Sequence, residues 1–294
     1  MDLEFKKIKA ITKIAKQSKV VNFSVQKNEN YFANGILTHN CYMKRHKPEG
    51  LTIADPKSVT DILTEINSHA WFNTTEKPNQ THEEFITYDI SCNEDFALHA
   101  KFHNWERIFN FFKDHPIAMG SFATKYVNGN LLDYNPEGKI RIRFSLMPQS
   151  YAEILEPNTS SIKDRLEAVK LFKIAGYDVH LNFSPVIVCF NWLQEYEELF
   201  KDVREYAQTY DWDNNTVKSE VIFLTHNAGK HHYNLEHNLP GEDLLWRPDI
   251  QEYKISQYGP VNLRYRHDLK AEYIKQFVKL HDEIIPWNTI RYIF

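Results

Sequence analysis

Cysteine is scarce in this sequence, and its three residues, Cys41, Cys92 and Cys189, are neither even in number nor paired in spacing. This pattern argues against a disulfide framework and favours reduced thiols. Long apolar runs are also missing, because a stretch such as VHLNFSPVIVCF at 179–190 falls well short of the ~20 residues that span a bilayer. The N-terminus alternates lysine with apolar residues and lacks the apolar segment of a secretory signal. We therefore expect a cytoplasmic protein without a membrane partner.

The composition is that of a globular protein large enough to be an enzyme. The chain has 294 residues, of which 42% are hydrophobic and 14% aromatic. No repeat of fixed period and no low-complexity tract occurs in it. Residues 1–40 contain seven lysines and three acidic residues, a net charge of +4, and the total of −4 leaves −8 on residues 41–294. The net charge of the sequence therefore changes from positive to negative near residue 40.

The secondary-structure pattern also changes after the first forty residues. KIKAITKI, VVNFSVQ and YFANGILTH predict short strands, with Gly35 at a turn. From about residue 56, amphipathic segments alternate with apolar runs, which is typical of a parallel sheet. The predicted helices are 56–69, 94–115, 161–176, 192–208 and 269–282. The predicted strands are FITYDIS, IAMGSFAT, KIRIRFSL, VHLNFSPVIV, SEVIFLTH and NTIRYIF. Five or six such strands fit a partial or full βα barrel or a doubly wound sheet, and periodicity does not separate these.

The N-terminal segment ends at the peptide bond between Asn40 and Cys41, and the side chains around this bond have the chemistry to cleave it. The Asn40 side-chain amide can cyclise on its own carbonyl, His39 can protonate the leaving amine, and Cys41 can act as a thiol nucleophile. In this setting NFSVQKNENYFANGILTHNC resembles the C-terminal splicing region of inteins. The resemblance implies that residues 1–40 are a small all-β, Hint-type half of a split intein. Its partner would be a polypeptide carrying the N-terminal intein and extein halves.

Downstream of residue 40, a second set of motifs follows in order along the chain. CYMKRHKPEG, YDISCNEDFALH, FATKYVNG, KIRIRFSLMP and SPVIVCFNW resemble the spore photoproduct lyase family of radical S-adenosylmethionine proteins. The resemblance implies an α/β fold, a partial (β/α) barrel over residues 41–294 that lacks its N-terminal part. It also implies S-adenosylmethionine and a [4Fe-4S] cluster as cofactors, bound through a Cys-x3-Cys-x2-Cys motif followed by Tyr. Cys41 and Tyr42 match the end of that motif, so the other two cluster ligands would lie on the missing N-terminal half.

The same resemblance implies roles for individual side chains. Cys92 matches the cysteine that donates a hydrogen atom to the product radical, whereas a buried structural thiol is the alternative. Lys125 and Ser145, together with Tyr42, match cofactor-binding positions, and a lysine charge suits the carboxylate of S-adenosylmethionine. Cys189 matches no such role, and we predict that it belongs to the core.

The C-terminal third carries the predicted substrate-binding residues. LLWRPDIQEYKISQYGPVNLRYR resembles the family's loop that contacts damaged DNA, and its candidate residues are Lys254, Tyr258, Arg264, Tyr265 and Arg266. An aromatic wall formed by the closing strands is an equally weighted alternative. The pair His231 and His232 has no third metal ligand at a useful spacing, so we predict a polar loop there.

The leading hypothesis is a precursor that is spliced in trans and then repairs a thymine photoproduct in DNA, with an electron donor such as flavodoxin or ferredoxin. Two positions, Asn22 and Glu29, depart from residues that many inteins have. The first alternative is therefore a remnant that cannot splice and at most binds nucleic acid. A chain that is inert until it is ligated, or a radical enzyme with another substrate, are further alternatives.

Overall fold

The computed structural model describes residues 31–33, 36–38, 56–72, 82–90, 95–102, 104–212, 216–255 and 261–294. In the N-terminal segment, strands β1 (Tyr31–Ala33) and β2 (Ile36–Thr38) pair antiparallel, with Tyr31 opposite Thr38. The two other strands predicted before residue 28 lie outside the described residues.

Six parallel strands form the main sheet. They are β3 (Ile86–Asp89), β4 (Ala118–Thr124), β5 (Ile140–Leu146), β6 (Asp178–Val186), β7 (Ser219–Phe223) and β11 (Ile290–Ile293). Their order across the sheet is β3, β4, β5, β6, β7, β11, which follows the chain without a reversal. A doubly wound sheet reverses its strand order at a switch point, whereas a βα barrel adds each strand beside the previous one. The described sheet is therefore of the barrel type, and the doubly wound alternative is wrong.

Nine helices connect or flank these strands within the described residues. They are α1 (Pro56–Phe72), α2 (Phe96–His99), α3 (Trp105–Asp114), α4 (Gln149–Leu155), α5 (Ile162–Ile174), α6 (Trp192–Tyr210), α7 (Ala228–Glu236), α8 (Glu242–Leu245) and α9 (His267–Ile284). Among the described residues, no helix combines the length and the apolar composition that crossing a bilayer requires.

A second, smaller sheet is antiparallel and has the order β8 (Thr225–Asn227), β10 (Val261–Tyr265), β9 (Gln251–Ile255). In this sheet Leu263 lies opposite His226 on one side and opposite Tyr253 on the other. Only residue 224 separates the end of β7 from the start of β8, so the small sheet is attached directly to the parallel sheet.

Aromatic rings fill the core between the outer face of the parallel sheet and the helices. Phe144 on β5 meets Phe172 on α5 edge to face, with ring centroids 5.4 Å apart. Phe183 on β6 meets Phe200 on α6 at 5.2 Å and Phe277 on α9 at 5.9 Å. All five rings are fully buried, and each contributes about 1.5–3 kcal/mol by leaving water. This packing fixes which face of the sheet the helices cover.

The structure corrects two of the predicted elements. The single helix predicted over 94–115 is wrong, because α2 and a short 3₁₀ turn at 100–102 precede a new helix, α3. Each helix has its own cap, since the Asp95 carboxylate accepts from the Leu98 N–H and the Asn104 side chain accepts from the Arg107 N–H. The strand predicted over 219–226 is also wrong, because β7 and β8 belong to different sheets. The start of the helix predicted from residue 161 is confirmed, because Ser161 and Asp164 form a capping box at the beginning of α5.

Replacing Gly176 with alanine is expected to destabilise the fold by about 2 kcal/mol or more. Gly176 follows α5 with φ +95°, and a Cβ atom there would lie 2.1 Å from the Asn135 Oδ1 atom. Equilibrium denaturant unfolding measures the change. Gly129→Ala is the matched control, because nothing lies within 4 Å of a Cβ atom at that position. Equal stabilities of the two variants would contradict this account.

Candidate functional site

The inner face of the parallel sheet, opposite the helices, carries polar and charged side chains. On β5, Arg141, Arg143 and Ser145 alternate with the apolar residues that pack against the helices. Neighbouring strands follow the same alternation, with Asp89 on β3, Ser121 on β4, His180 and Asn182 on β6, and Glu220 on β7. Most of these side chains are buried, so this face is a polar interior rather than a solvated surface.

A network of ion pairs crosses the inner face. Arg143 pairs with Asp89 on β3, and its Nη1 lies 3.2 Å from the Glu220 Oε2 on β7. Both partners are two strands away from β5, a separation of about 9–10 Å on a flat sheet. A single side chain contacts both because the sheet curls around it. Burial disfavours the charged form, but Asp89 and Glu220 outweigh it and hold the pKa of Arg143 above its usual value.

Glu220 has two further partners on the last strand. The Arg291 guanidinium lies 2.6 Å from the Glu220 Oε1, and the Tyr292 hydroxyl donates to Oε2 at 3.3 Å. Adjacent strand residues ordinarily point to opposite faces, and here a register shift between Ile290 and Tyr292 lets both reach the same carboxylate. The network therefore ties β11 to the middle of the sheet.

A second charged cluster lies at the carboxyl ends of β4 and β5. Lys125 follows β4 directly and forms an ion pair with Glu156, whose other oxygen lies 2.8 Å from the Arg165 Nη2. Burial raises the pKa of the Glu156 carboxyl, but Lys125 and Arg165 lower it more, so the net pKa lies below its ordinary value. Arg165 is completely buried and its Nη1 donates to the Ser145 carbonyl at 2.8 Å. The cluster therefore holds the ends of two adjacent strands together.

Ser145 and Asn182 lie opposite each other near the carboxyl ends of β5 and β6. The Asn182 Nδ2 donates to the Ser145 Oγ at 3.4 Å, and both side chains are 4% exposed. The Asn182 Oδ1 is buried and has no hydrogen-bond partner among the described residues. A buried amide oxygen without a donor is costly, so a ligand that donates a hydrogen bond to it would be stabilised there.

Two residues predicted to bind the cofactor, Lys125 and Ser145, therefore lie at the same edge of the sheet. Sequence reasoning missed their partners Glu156, Arg165 and Asn182. The alternation of charged and apolar residues in KIRIRFSL was the available signal for a polar inner face. The predicted residues His39, Asn40, Cys41, Tyr42, Cys92 and Tyr258 lie outside the described residues.

The predicted DNA-contacting residues occupy different environments on the small sheet. Lys254 on β9 and Arg266 before α9 are exposed. Arg264 is half-buried, and its Nη2 lies 2.8 Å from the Glu252 Oε1. Tyr265 is only 1% exposed and its hydroxyl accepts from the Val188 N–H at 2.7 Å. The Tyr265 ring therefore packs in the core of this structure, and its stacking on a base stays a prediction.

Two further predictions concern cysteine and histidine residues. Cys189 packs against the core, half-buried, with its Sγ 2.9 Å from the Tyr151 hydroxyl, and burial raises the pKa of its thiol. The predicted polar loop at His231 and His232 is wrong, because both residues lie in α7.

A curled sheet of six parallel strands, with charged residues on its inner face and at its carboxyl edge, defines an α/β protein of the partial-barrel class. The chain belongs to the spore photoproduct lyase family, whose sequence model matches residues 8–294. This match runs across the boundary that the intein resemblance predicts at residue 40. The comparisons thus support the lyase family and give no support to a fused intein.

Individual relatives agree with the family assignment. Spore photoproduct lyase of Bacillus subtilis (strain 168) is 24% identical over 268 residues, which cover 89% of this chain and 74% of that protein. The corresponding protein of Geobacillus sp. (strain Y412MC61) is 26% identical, over 67% of this chain and 57% of its own length.

Solved structures resemble this fold as well. A spore photoproduct lyase complexed with dinucleoside spore photoproduct has a TM-score of 0.69 and 21% identity, covering 86% of this chain and 72% of that one. A mutant with bound AdoMet and dinucleoside spore photoproduct has a TM-score of 0.68 and 21% identity, with coverages of 80% and 67%. At this identity the structures support the fold, which is a curled parallel half-barrel.

Proposed function

We propose that this chain is the catalytic part of a radical S-adenosylmethionine lyase that repairs a thymine photoproduct in DNA. The match of the family's sequence model to residues 8–294 carries this proposal. The related proteins named above are spore photoproduct lyases, and one of them is described with AdoMet and the dinucleoside photoproduct bound. When bound, S-adenosylmethionine would supply the radical that starts the reaction.

The carboxyl edge of the sheet fits S-adenosylmethionine by the chemistry of its side chains. The Asn182 Oδ1 is a buried acceptor without a donor, which suits the ammonium group of the ligand. The Ser145 hydroxyl beside it can donate to a carboxylate, and Lys125 adds a positive charge at the end of the adjacent strand. We propose that these three residues orient the amino acid portion of S-adenosylmethionine.

A [4Fe-4S] cluster requires more thiolates than the described residues offer. Of the three cysteines in the chain, only Cys189 is described, and its buried thiol has a raised pKa, which disfavours the thiolate. The described residues therefore do not fit a cluster by themselves. We propose that Cys41 is one ligand and that two come from an N-terminal polypeptide.

Replacing Asn182 with alanine is expected to weaken S-adenosylmethionine binding at least about tenfold, or 1.4 kcal/mol, because a charge-assisted hydrogen bond is lost. Isothermal titration calorimetry on the full chain measures the affinity. Asn234→Ala is the matched control, since it removes a buried asparagine of the α7 helix, outside the parallel sheet. Equal weakening by both variants would contradict a direct contact by Asn182.

The small sheet provides a surface suited to nucleic acid. Lys254 lies between Tyr253 and Ile255, which are 66% and 72% exposed. Exposed aromatic and apolar side chains beside a cation can combine stacking on bases with a phosphate contact. We propose that Lys254, Arg266 and Tyr258 contact the damaged strand. Arg264 is already paired with Glu252, so it would serve mainly to hold β9 against β10.

We further propose that Cys41 reaches its ligand role through protein splicing in trans. The support is the HNC triplet in the context NFSVQKNENYFANGILTHNC. In this scheme the partner's intein half holds its extein as a thioester, and the Cys41 thiolate attacks that thioester, which transfers the acyl chain to Cys41 and releases the partner's thiol. Asn40 then cyclises to a succinimide, which breaks the bond between Asn40 and Cys41. His39 would donate the proton that the leaving group needs. An S-to-N shift then leaves an ordinary peptide bond and a free Cys41 thiol.

Replacing Asn40 with alanine is expected to abolish cleavage at residue 40, because alanine has no amide that can cyclise. The experiment is co-expression with a polypeptide that carries an N-terminal intein half preceded by Cys-x3-Cys-x2, followed by intact mass analysis. The unaltered chain should lose its first forty residues and gain the partner's extein. Asn22→Asp is the control, since it should splice. A 34.9 kDa chain that persists uncut would contradict the splicing proposal. It would instead make residues 8–40 part of the lyase itself, as the extent of the family match favours.

A further inference from the structure

Three side chains with metal-binding chemistry meet beside the small antiparallel sheet. His226 lies on β8, His231 on α7 and Glu242 at the start of α8. The His226 Nε2 lies 2.9 Å and the His231 Nδ1 2.5 Å from the same carboxylate oxygen, Glu242 Oε1. One ligand atom from each residue lies within 4.8 Å of the others.

We propose that His226, His231 and Glu242 bind a divalent transition metal ion, with Zn²⁺ as the best match. Two imidazole nitrogens and one carboxylate oxygen form a three-ligand Zn²⁺ set that keeps a fourth position open. Ligands about 2.0–2.1 Å from Zn²⁺ lie roughly 3.3 Å apart in a tetrahedron. The two imidazole nitrogens, now 2.9 and 2.5 Å from Glu242 Oε1, would need to move apart from it by only about 0.4 and 0.8 Å. This site contains no cysteine and does not depend on the proposed lyase function.

Neighbouring side chains hold two of the three candidate ligands, Glu242 and His231, in their orientations. The Asn234 Nδ2 donates to the second carboxylate oxygen, Glu242 Oε2, and so fixes the orientation of that carboxylate. The Asn234 Oδ1 is buried and has no hydrogen-bond partner among the described residues. Trp246 stacks flat on the His231 ring, with centroids 3.7 Å apart and planes 5° apart. The stacked indole therefore holds the His231 imidazole in its orientation toward the carboxylate.

A metal ion at this position would order the proposed DNA-contacting surface. It would join β8, α7 and α8, and β8 is paired directly with β10. Trp246 also meets Tyr253 on β9, with ring centroids 6.1 Å apart. The ion therefore connects through His231 and Trp246 to the strand that carries Lys254. We assign it a positioning role for this sheet and no part in the radical reaction.

Equilibrium dialysis of the purified full chain against Zn²⁺ tests the site, with bound metal quantified by mass spectrometry and thermal unfolding followed in parallel. The chain is first treated with a chelator and kept reduced. We expect one Zn²⁺ per chain with a raised Tm, and an affinity at least about 100-fold lower in His231→Ala and Glu242→Gln. His232→Ala is the matched control, because its imidazole is the next residue on the same helix and is exposed. Equal affinity in His231→Ala and His232→Ala, or no uptake by the unaltered chain, overturns the proposal.

Binding of Co²⁺ in place of Zn²⁺ identifies the ligand atoms even if the variants fail to fold. The unaltered chain with one equivalent of Co²⁺ should show the visible bands of a nitrogen and oxygen site. A thiolate-to-metal charge-transfer band would place the ion on Cys41, Cys92 or Cys189 and would overturn the assignment.

Discussion

Replacing Cys92 with alanine, in the protein ligated to its N-terminal partner, is expected to lower the yield of repaired thymine at least about tenfold. The product radical should then react to give other products. Tenfold corresponds to about 1.4 kcal/mol of transition-state free energy. The proposed step breaks the Cys92 S–H bond and forms a C–H bond on the product radical, which leaves a sulfur-centred radical on Cys92. Alanine has no S–H bond and therefore cannot donate a hydrogen atom to the radical. In the sequence, Cys92 comes three residues after Asp89, the last residue of β3.

Chromatography of the products from a dinucleoside photoproduct, with the cofactor and a reductant supplied, measures this effect. Cys189→Ala is the matched control, because the Cys189 thiol contacts the Tyr151 hydroxyl and lies outside the proposed reaction. It should leave the product distribution unchanged. If Cys92→Ala also gives the unaltered distribution, Cys92 is not the hydrogen donor, although the lyase activity itself would stand.

Replacing Arg143 with methionine is expected to destabilise the protein by about 3–5 kcal/mol, the largest stability change among these predictions. Methionine fills much of the same volume but removes a cation that two carboxylates share. Asp89 would lose the partner that ties β3 to the inner face, and Glu220, which is fully buried, would keep only Arg291 as a cationic partner. Burial disfavours the charged form of a carboxylate that has lost its cation, so the cost exceeds that of the lost contact.

Urea unfolding followed by circular dichroism measures this loss. Arg264→Met is the matched control, since its ion pair with Glu252 is about one-third exposed on each side and should contribute no more than about 1 kcal/mol. Similar midpoints for the two variants would mean that the inner-face network does not hold the curled sheet. Arg143→Lys should recover little, because a single ammonium cannot reach partners on both β3 and β7.

Local patterns predicted much of the fold. The two ends of the predicted helix 161–176 and the apolar runs of β4 and β5 all reflect interactions within a few residues. The break between α2 and α3 was missed because Asn104 reads equally well as a helix interior residue or as an N-cap, and only its hydrogen bond to Arg107 decides.

The candidate site was recovered only in part, for a related reason. Lys125 and Ser145 were found through their resemblance to family positions, whereas the sequence indicated no role for Glu156 and Arg165. Their importance depends on a contact between α5 and the end of β5. The cluster of His226, His231 and Glu242 was missed, because Glu242 is 11 residues away from His231 in the sequence and no spacing rule connects them.

The lyase family and the alternation of strands and helices followed from the amino-acid sequence alone, whereas the roles of Asn40, Cys41 and Cys92 stay predictions. The tertiary structure decided the strand order, the burial of Tyr265 and the meeting of Arg143 with Asp89 and Glu220. The physical reason is the range of the interactions. Caps and periodic faces are set by neighbours along the chain, whereas ion pairs between distant strands exist only after the sheet has curled.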